Sequence, residues 1–582
     1  MGRMGTPNQT QPIHDISPPP EAPSSFFPPI DTAPHSRSKA TRLLSAGTYL
    51  DPAFRDTVIT ELVEHPERLV PPSLGYNVAT VLGHALRARN LELGTAALIL
   101  LIWGTGAAII TMNIPPPSLD LFTGSAPDEA GLSATLLSCL FSFTLASLLS
   151  LARRSPRGQS RSTLVADGPG NPPTGRFRRF RFVLLPLTIW YLMAFSALMV
   201  LSAFMGGSIF KGLAVLSLPA LLLLVGTWHR LTLSKILWTE LSRDGFTGAP
   251  PQTFRTPFTS RREKILAAID TEQFSPLALY NEDEPFLGAG VPHKPWSLTL
   301  ELRPRPDAPT VPERLDGRRV LDLIVPRLAE LTERSTRTSQ DRLNGLELQE
   351  CVFLPSDLPE GLRRTTLPYR DTDVRTHLAE STGEGAEQRR HFLRIRVGGW
   401  QEEVVTTIFL RVHTQGDLLV LEVLPYVLAP PRSSFHQVDD LTERSTRLRL
   451  STLAAAPAVT IAAVFSGVNA LRSWRREWWH STAHLPLEGP RVSIREAGAR
   501  DTRSMFQEMD INRYITTIQD RITSGTHQAL AEAGYMTDEF QQQVVNVGGG
   551  GVFVGGSMAG SIATGIGAQA NTADAPPHTE QG

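Results

Sequence analysis

The sequence predicts a multi-pass α-helical membrane protein: a four-helix transmembrane bundle with a cytoplasmic α+β domain and a helical C-terminal region. Three observations predict it. Four long stretches before residue 230 carry no charge. The loop between the first two has no Lys or Arg, whereas the loop between the second and third has eight arginines. Beyond residue 240 the apolar residues change to the two-residue alternation of β-strands.

Residues 1–35 are rich in proline, as in Pro18-Pro19-Pro20, and read as a disordered tail with no cleavable signal peptide. Residues 36–90 turn amphipathic through Leu43, Leu44, Phe54, Val58, Val81 and Leu82, which predicts a cytoplasmic helical segment. A transmembrane region follows over 91–230. Its spans are expected at about 93–112, 131–151, 182–210 and 212–228, since ~20 apolar residues cross a ~30 Å hydrocarbon core. Arginines collect in the loop 152–181, with Arg87 and Arg89 before the first span and Arg230 and Lys235 after the fourth. Positive residues mark the retained side, so this pattern places the N-terminus and the main soluble domain in the cytoplasm of a cell at its plasma membrane. The spans hold no ionisable group of the kind that proton relays and transporters carry, so the bundle reads as an anchor.

Residues 240–449 alternate as strands at 296–302, 391–397, 403–413 and 418–428, the last two flanking Thr414-Gln415-Gly416-Asp417 as a hairpin. They form the predicted α+β domain. Residues 450–471 are uncharged but alanine-rich and contain Pro457. Over 450–480 we expect a helix at the membrane interface, with a fifth transmembrane helix as the alternative. Trp474, Trp478 and Trp479 with Arg475 and Arg476 are its candidate interface residues.

Residues 490–543 form an amphipathic helical region in which Ile511, Tyr514, Ile515, Ile518 and Ile522 make a helical stripe. The stripe suits either self-association or packing on its own domain. In the Gly-rich tail, 544–582, apolar residues such as Val552, Phe553, Val554 and Ile562 are set among glycines without charge, which suits stacking of identical strands. These tail residues and the isoleucine stripe are the candidate association residues. A disordered tail is the competing reading.

The 582 residues contain 56 basic and 57 acidic groups, a net charge of −1, so no specific nucleic-acid partner is predicted. That total cancels unlike parts: 18 basic against 13 acidic through Arg230, and 38 against 44 after it. With only Cys139 and Cys351, a disulfide framework and a cysteine metal site are both excluded. The fourteen histidines are scattered, and HExxH, GxSxG and kinase signatures are absent. No catalytic residue, metal site or cofactor is therefore expected. Pro285-Phe286-Leu287-Gly288-Ala289-Gly290 could expose backbone N–H groups to a phosphate, but it matches neither a P-loop nor GxGxxG and reads as a turn before a strand.

Leu279-Tyr280-Asn281, the PFLGAG segment and Trp296-Ser297 resemble a segment of uncharacterised actinobacterial multi-pass membrane proteins with a Gly-rich C-terminal segment. TYLDPAF (48–54), HALRAR (84–89) and SIREAGA (493–499) add to the likeness. The resemblance implies membrane location and carries no site residue. The tail is similar to the glycine-punctuated amyloid signalling motifs near the ends of some bacterial immune proteins.

These features together predict a noncatalytic integral membrane scaffold or signalling protein with a C-terminal self-association or recruitment segment. Its expected partners are the lipid bilayer, further copies of itself as a homo-oligomer, and a cytoplasmic signalling protein. The alternatives are an oligomeric channel or transporter, and a membrane-anchored enzyme with an unrecognised site in 240–449.

Overall fold

The computed structural model describes residues 32–112, 209–251, 259–306, 314–332, 343–356, 364–381, 389–439, 448–482, 486–500 and 502–540, apart from 344, 365–366 and 539, with short helical pieces between 141 and 201. In chain order these residues form helices α1 (Lys39–Leu50), α2 (Pro52–Ile59), a π-helical turn (Thr60–Glu64), α3 (Val78–Met112), α4 (Ile209–Thr239) and α5 (Thr259–Gln273). Strands β1 (Leu277–Tyr280), β2 (Val291–Pro292) and β3 (Trp296–Glu301) follow, then α6 (Gly317–Ala329), β4 (Leu346–Pro355) and α7 (Asp371–Ser381). The last elements are β5 (Arg390–Gly399), β6 (Val404–Gln415), β7 (Leu418–Leu428), α8 (Leu448–Thr482) and α9 (Met505–Glu532), besides single helical turns.

Local chemistry sets the starts of several helices. The Ser38 hydroxyl accepts the Thr41 N–H ahead of α1, and Asp51 caps α2, whose first residue is Pro52. Asp316 caps α6, and Ser504 and Gln507 form a reciprocal capping box on α9.

The strands make one curled, mixed sheet in the order β1-β4-β5-β6-β7-β2, with β3 also paired to β7. Only β1 and β4 run parallel among these pairs. Alternation gives the sheet two faces of different chemistry. One face carries Leu393, Ile395 and Val397 of β5 with Ile408, Leu410 and Val412 of β6, and buries them under α6 and α9. Helices α6 and α9 cross closely at Gly525, where an added Cβ would lie 2.9 Å from the Ile324 Cα. The opposite face carries Phe392, Arg394 and Arg396 of β5 with Phe409 of β6, and meets the 285–290 loop and the N-terminal segment.

The isoleucine stripe of α9 belongs to the first face. Ile511, Ile515, Ile518 and Ile522 are all buried in the sheet core, and Tyr514 packs at its edge. As a self-association surface the stripe is therefore corrected: those side chains are already covered by the chain's own sheet and α6. Val552, Phe553, Val554 and Ile562 lie outside the described residues, as do the proline-rich N-terminus and most of 113–208.

The four-helix transmembrane bundle is also corrected. Among the described residues two helical segments, Val78–Ala108 and Leu216–Thr239, are long and apolar enough to cross a membrane, and the rest is dominated by the large mixed sheet. The expected spans at 131–151 and 182–210 lie mostly outside the described residues. Only 22% of the apolar window of either helix is buried, which is unlike the core helix of a soluble protein. Leu98, Leu100 and Leu101 on α3 and Leu221, Leu224 and Trp228 on α4 face outward instead. A row of such side chains would be costly in water and suits lipid.

The inner ends of both helices enter one helical core. Val78, Val81, Leu82 and Leu86 of α3 and Ile236 and Leu237 of α4 pack there with Leu43, Leu44 and Phe54. Charge pairs collar this junction: Arg55 with Glu92 at 2.7 Å, Arg89 with Glu477 at 3.2 Å, and Arg87 with Glu240. The arginines that suggested orientation are thus partly neutralised inside the protein.

Phe435 and Val438, which precede α8, and Ile494, which follows it, are buried together in the same core. Helix α8 itself packs along α3 and α4, with Ala463 beside Ile99 and Leu222 and Ser473 accepting from Arg89.

Candidate functional site

The aromatic face of the sheet is built around Phe286. This residue comes from the PFLGAG loop and meets Phe353, Phe392, Phe409 and Tyr426 at centroid distances of 5.2, 5.4, 4.7 and 5.1 Å. Tilted and edge-on geometries at such distances are the favoured ones. The loop is held from below by a charge. Glu496, in the SIREAGA segment, accepts the N–H of Gly288 at 2.9 Å and of Gly290 at 2.8 Å. Both glycines have positive φ, and at Gly290 the Val427 carbonyl leaves no room for a Cβ. The N–H groups that resembled a phosphate cradle thus already have an anion, supplied by the chain itself.

Beside this cluster a cleft of about 410 Å³ opens between loop and sheet. Tyr280, Phe286, Trp296, Phe353 and Phe392 supply its aromatic walls, with Arg390 and Glu422 as its charged groups. Its volume falls within the ~300–1,000 Å³ of small-molecule sites. Cross-strand register explains the composition: Phe353 pairs with Arg390, and Cys351 with Phe392. Glu422 is bridged by Arg411 at 3.3 Å. Cys351 lies beneath the cluster, and burial pushes its thiol up to about 12, which removes it as a nucleophile. The segments whose resemblance was noted in the sequence converge on this region: Tyr280, Pro285, Phe286, Trp296 and Ser297 line the cleft, while Glu496 fixes its loop.

Further along the same face the chemistry turns ionic. Glu347 opposes Arg396 at 2.6 Å, and Gln349 accepts from Arg394. Arg396 also pairs with Glu402, which stands in a turn where Trp400, Gln401 and Glu402 all have positive φ. Burial alone would raise the Glu347 carboxyl, but the His35 and Arg396 partners outweigh it and hold it down at about 2. Arg495 is fully buried and donates to the Glu403 carbonyl at 2.6 Å; desolvation brings it down to about 10. These groups tie the N-terminal segment to the sheet and lie away from the cleft.

A second cluster lies where α8 meets the N-terminal segment. His65 Nδ1 is 2.7 Å from Glu67 Oε1, and His480 Nδ1 is 3.9 Å from the same oxygen. These donors could hold a metal ion, and their distance apart in the chain hides them from any spacing motif. Nearby, the expected interface residues are disposed as a rim. Trp474, Trp478, Trp479, Arg475 and Arg476 are all exposed on α8, Trp479 to 67%, and Arg476 also reaches the buried Glu64 at 2.6 Å.

A curled mixed sheet, covered on one face by helices and joined to two long apolar helices with outward-facing leucines, defines a membrane-associated α+β protein. Residues 295–561, a little under half of the chain, are similar to the AbeC-like domain. The matched part runs from β3 through α9 and includes one wall of the cleft, whereas Tyr280, Pro285 and Phe286 on the other wall precede it. No curated protein and no solved structure matches the chain.

Proposed function

We propose that this chain is a noncatalytic membrane-held recognition scaffold in which the cleft on the sheet binds an aromatic or apolar group bearing an anion. The two apolar helices anchor it, the sheet domain lies on the cytoplasmic side, and the segment beyond residue 540 recruits further copies or a signalling partner. The cleft carries this reading. Its walls are aromatic, its cation is Arg390, and the described lining contains no histidine, cysteine or lysine to act on a bound group. The cytoplasmic side is supported by arginine at the inner ends of both helices, and homo-oligomer formation by the uncharged, glycine-punctuated tail.

The test uses the full chain in detergent and indole-3-acetate as an aromatic carboxylate probe, followed by calorimetry. Arg390→Gln should weaken binding about tenfold or more, as loss of a charged hydrogen bond does, and Trp296→Ala should weaken it too. Failure of the wild type to bind this probe and other aromatic anions would sink the recognition role. A chain ending at residue 540 that sediments as the full chain does would remove the role of the tail.

A further inference from the structure

We infer that His65, Glu67 and His480 form a binding site for a divalent transition-metal ion of the zinc type, clasping the last turn of α8 to the segment after the π-helical turn. The site lies apart from the cleft and does not rest on the recognition role proposed for it. Its three donor atoms all lie within 4.8 Å of one another. Around a tetrahedral zinc, with bonds of about 2.0–2.2 Å, donor atoms stand about 3.3–3.5 Å apart. The observed 2.7 and 3.9 Å from Glu67 straddle that value, and with the third separation within 4.8 Å, changes of up to about 1.5 Å in these separations would close the shell.

The electrostatics of the segment point the same way. Glu61, Glu64 and Glu67 recur every three residues, and all three are buried. Glu61 is met by Arg68 at 2.7 Å and by the N–H groups of Arg491 and Val492. Glu64 is met by Arg476 at 2.6 Å. Glu67 has neither arginine nor lysine among the described residues: its Oε1 meets the two histidines, and its Oε2 is buried without a hydrogen-bond partner. His480 Nδ1 is likewise buried without one. A buried carboxylate is expensive unless a cation answers it, and a metal held by Glu67 and two imidazoles supplies that cation.

The frame is already rigid, as a metal site needs. Glu488 N–H donates to the Glu67 carbonyl at 2.9 Å, and Leu69 N–H to the Glu488 carbonyl at 3.0 Å. The His65 and His480 rings stand edge to face, 4.7 Å apart and 87° inclined. Both rings are partly exposed, so the fourth position is open to water, as in two-histidine, one-carboxylate zinc sites.

The test is titration of the chelator-stripped full chain in detergent with Zn²⁺, and with Co²⁺ as the spectroscopic stand-in. One equivalent should bind, with the visible absorption of tetrahedral cobalt. His65→Ala and His480→Ala should each weaken zinc binding at least about 100-fold, the upper end of what even outer-shell losses cost. His293→Ala, at a part-exposed histidine outside the cluster, should leave it unchanged. Should the alanine variants fold poorly by circular dichroism, Glu67→Gln keeps the shape and should still lose the cobalt spectrum. Binding that survives in the double histidine variant, or a wild type that takes up neither ion, would overturn the site.

Discussion

Replacing Ile518 with alanine separates the two roles that its helical stripe suggested. Ile518 is fully buried in the core between α9, α6 and the sheet. The substitution removes three carbons, each worth about 0.8 kcal/mol of burial, and leaves a void with its own cost. The expected loss is about 3–4 kcal/mol, within the ~2–5 kcal/mol range of buried Ile→Ala changes. Thermal unfolding of the full chain in detergent, followed by circular dichroism, should show a clear fall in melting temperature. Sedimentation below that temperature should be unchanged. Unaltered melting together with a smaller sedimenting species would refute the argument, because it would mean that Ile518 packs against another copy.

Three further outcomes follow from the same structure. Gly525→Ala should destabilise the chain although alanine is the better helix former by ~1 kcal/mol, because its Cβ would lie 2.9 Å from the Ile324 Cα; a raised melting temperature would contradict the close crossing. Glu496→Ala leaves the N–H groups of Gly288 and Gly290 unanswered, at roughly 1–3 kcal/mol each; hydrogen exchange should speed up over 285–291, and unchanged protection there would count against the anchor. His391 is lowered to about 4, chiefly by burial and then by the nearby Arg318 and Arg411. Its unfolded form binds a proton first, so the resulting stability is present above pH ~6.5 and falls away between about 6.5 and 4, by roughly 3 kcal/mol. His391→Gln should flatten that slope, and an equally steep slope in the variant would refute the assignment.

The sequence and the structure agree where a signal was local and disagree where it depended on a neighbour. The β6–β7 hairpin around Gly416 was legible because alternation and a turn lie in one short stretch. The stripe of α9 was legible as a stripe, but periodicity shows that a face is apolar without saying what covers it; here the cover is a sheet whose last strand ends at Leu428, far before α9 begins at Met505. The four-span reading rested on apolar length and on the placement of arginine, and among the described residues only two segments meet the length test as helices. The cleft was half visible: PFLGAG stood out as a motif, yet its N–H groups meet Glu496, 206 and 208 positions away, which turns a phosphate cradle into a braced loop. His65 and His480 were two of fourteen scattered histidines, and no spacing rule reaches across that interval.

The helical core that gathers Leu43, Leu82, Leu237, Phe435 and Ile494 imposes an order on biosynthesis. Glu61 waits for the N–H groups of Arg491 and Val492, the first of them 430 positions later in the chain. Ring closure over such a length costs conformational entropy before any contact repays it. Segments delivered early, including both lipid-facing helices, must therefore stay soluble or inserted while the last quarter is still being translated, and contacts of such long range make for slow folding. A chain interrupted before residue 490 would leave the core open and Glu61 without those donors. The helical core is thus closed by residues near 491–494, which are delivered late in synthesis.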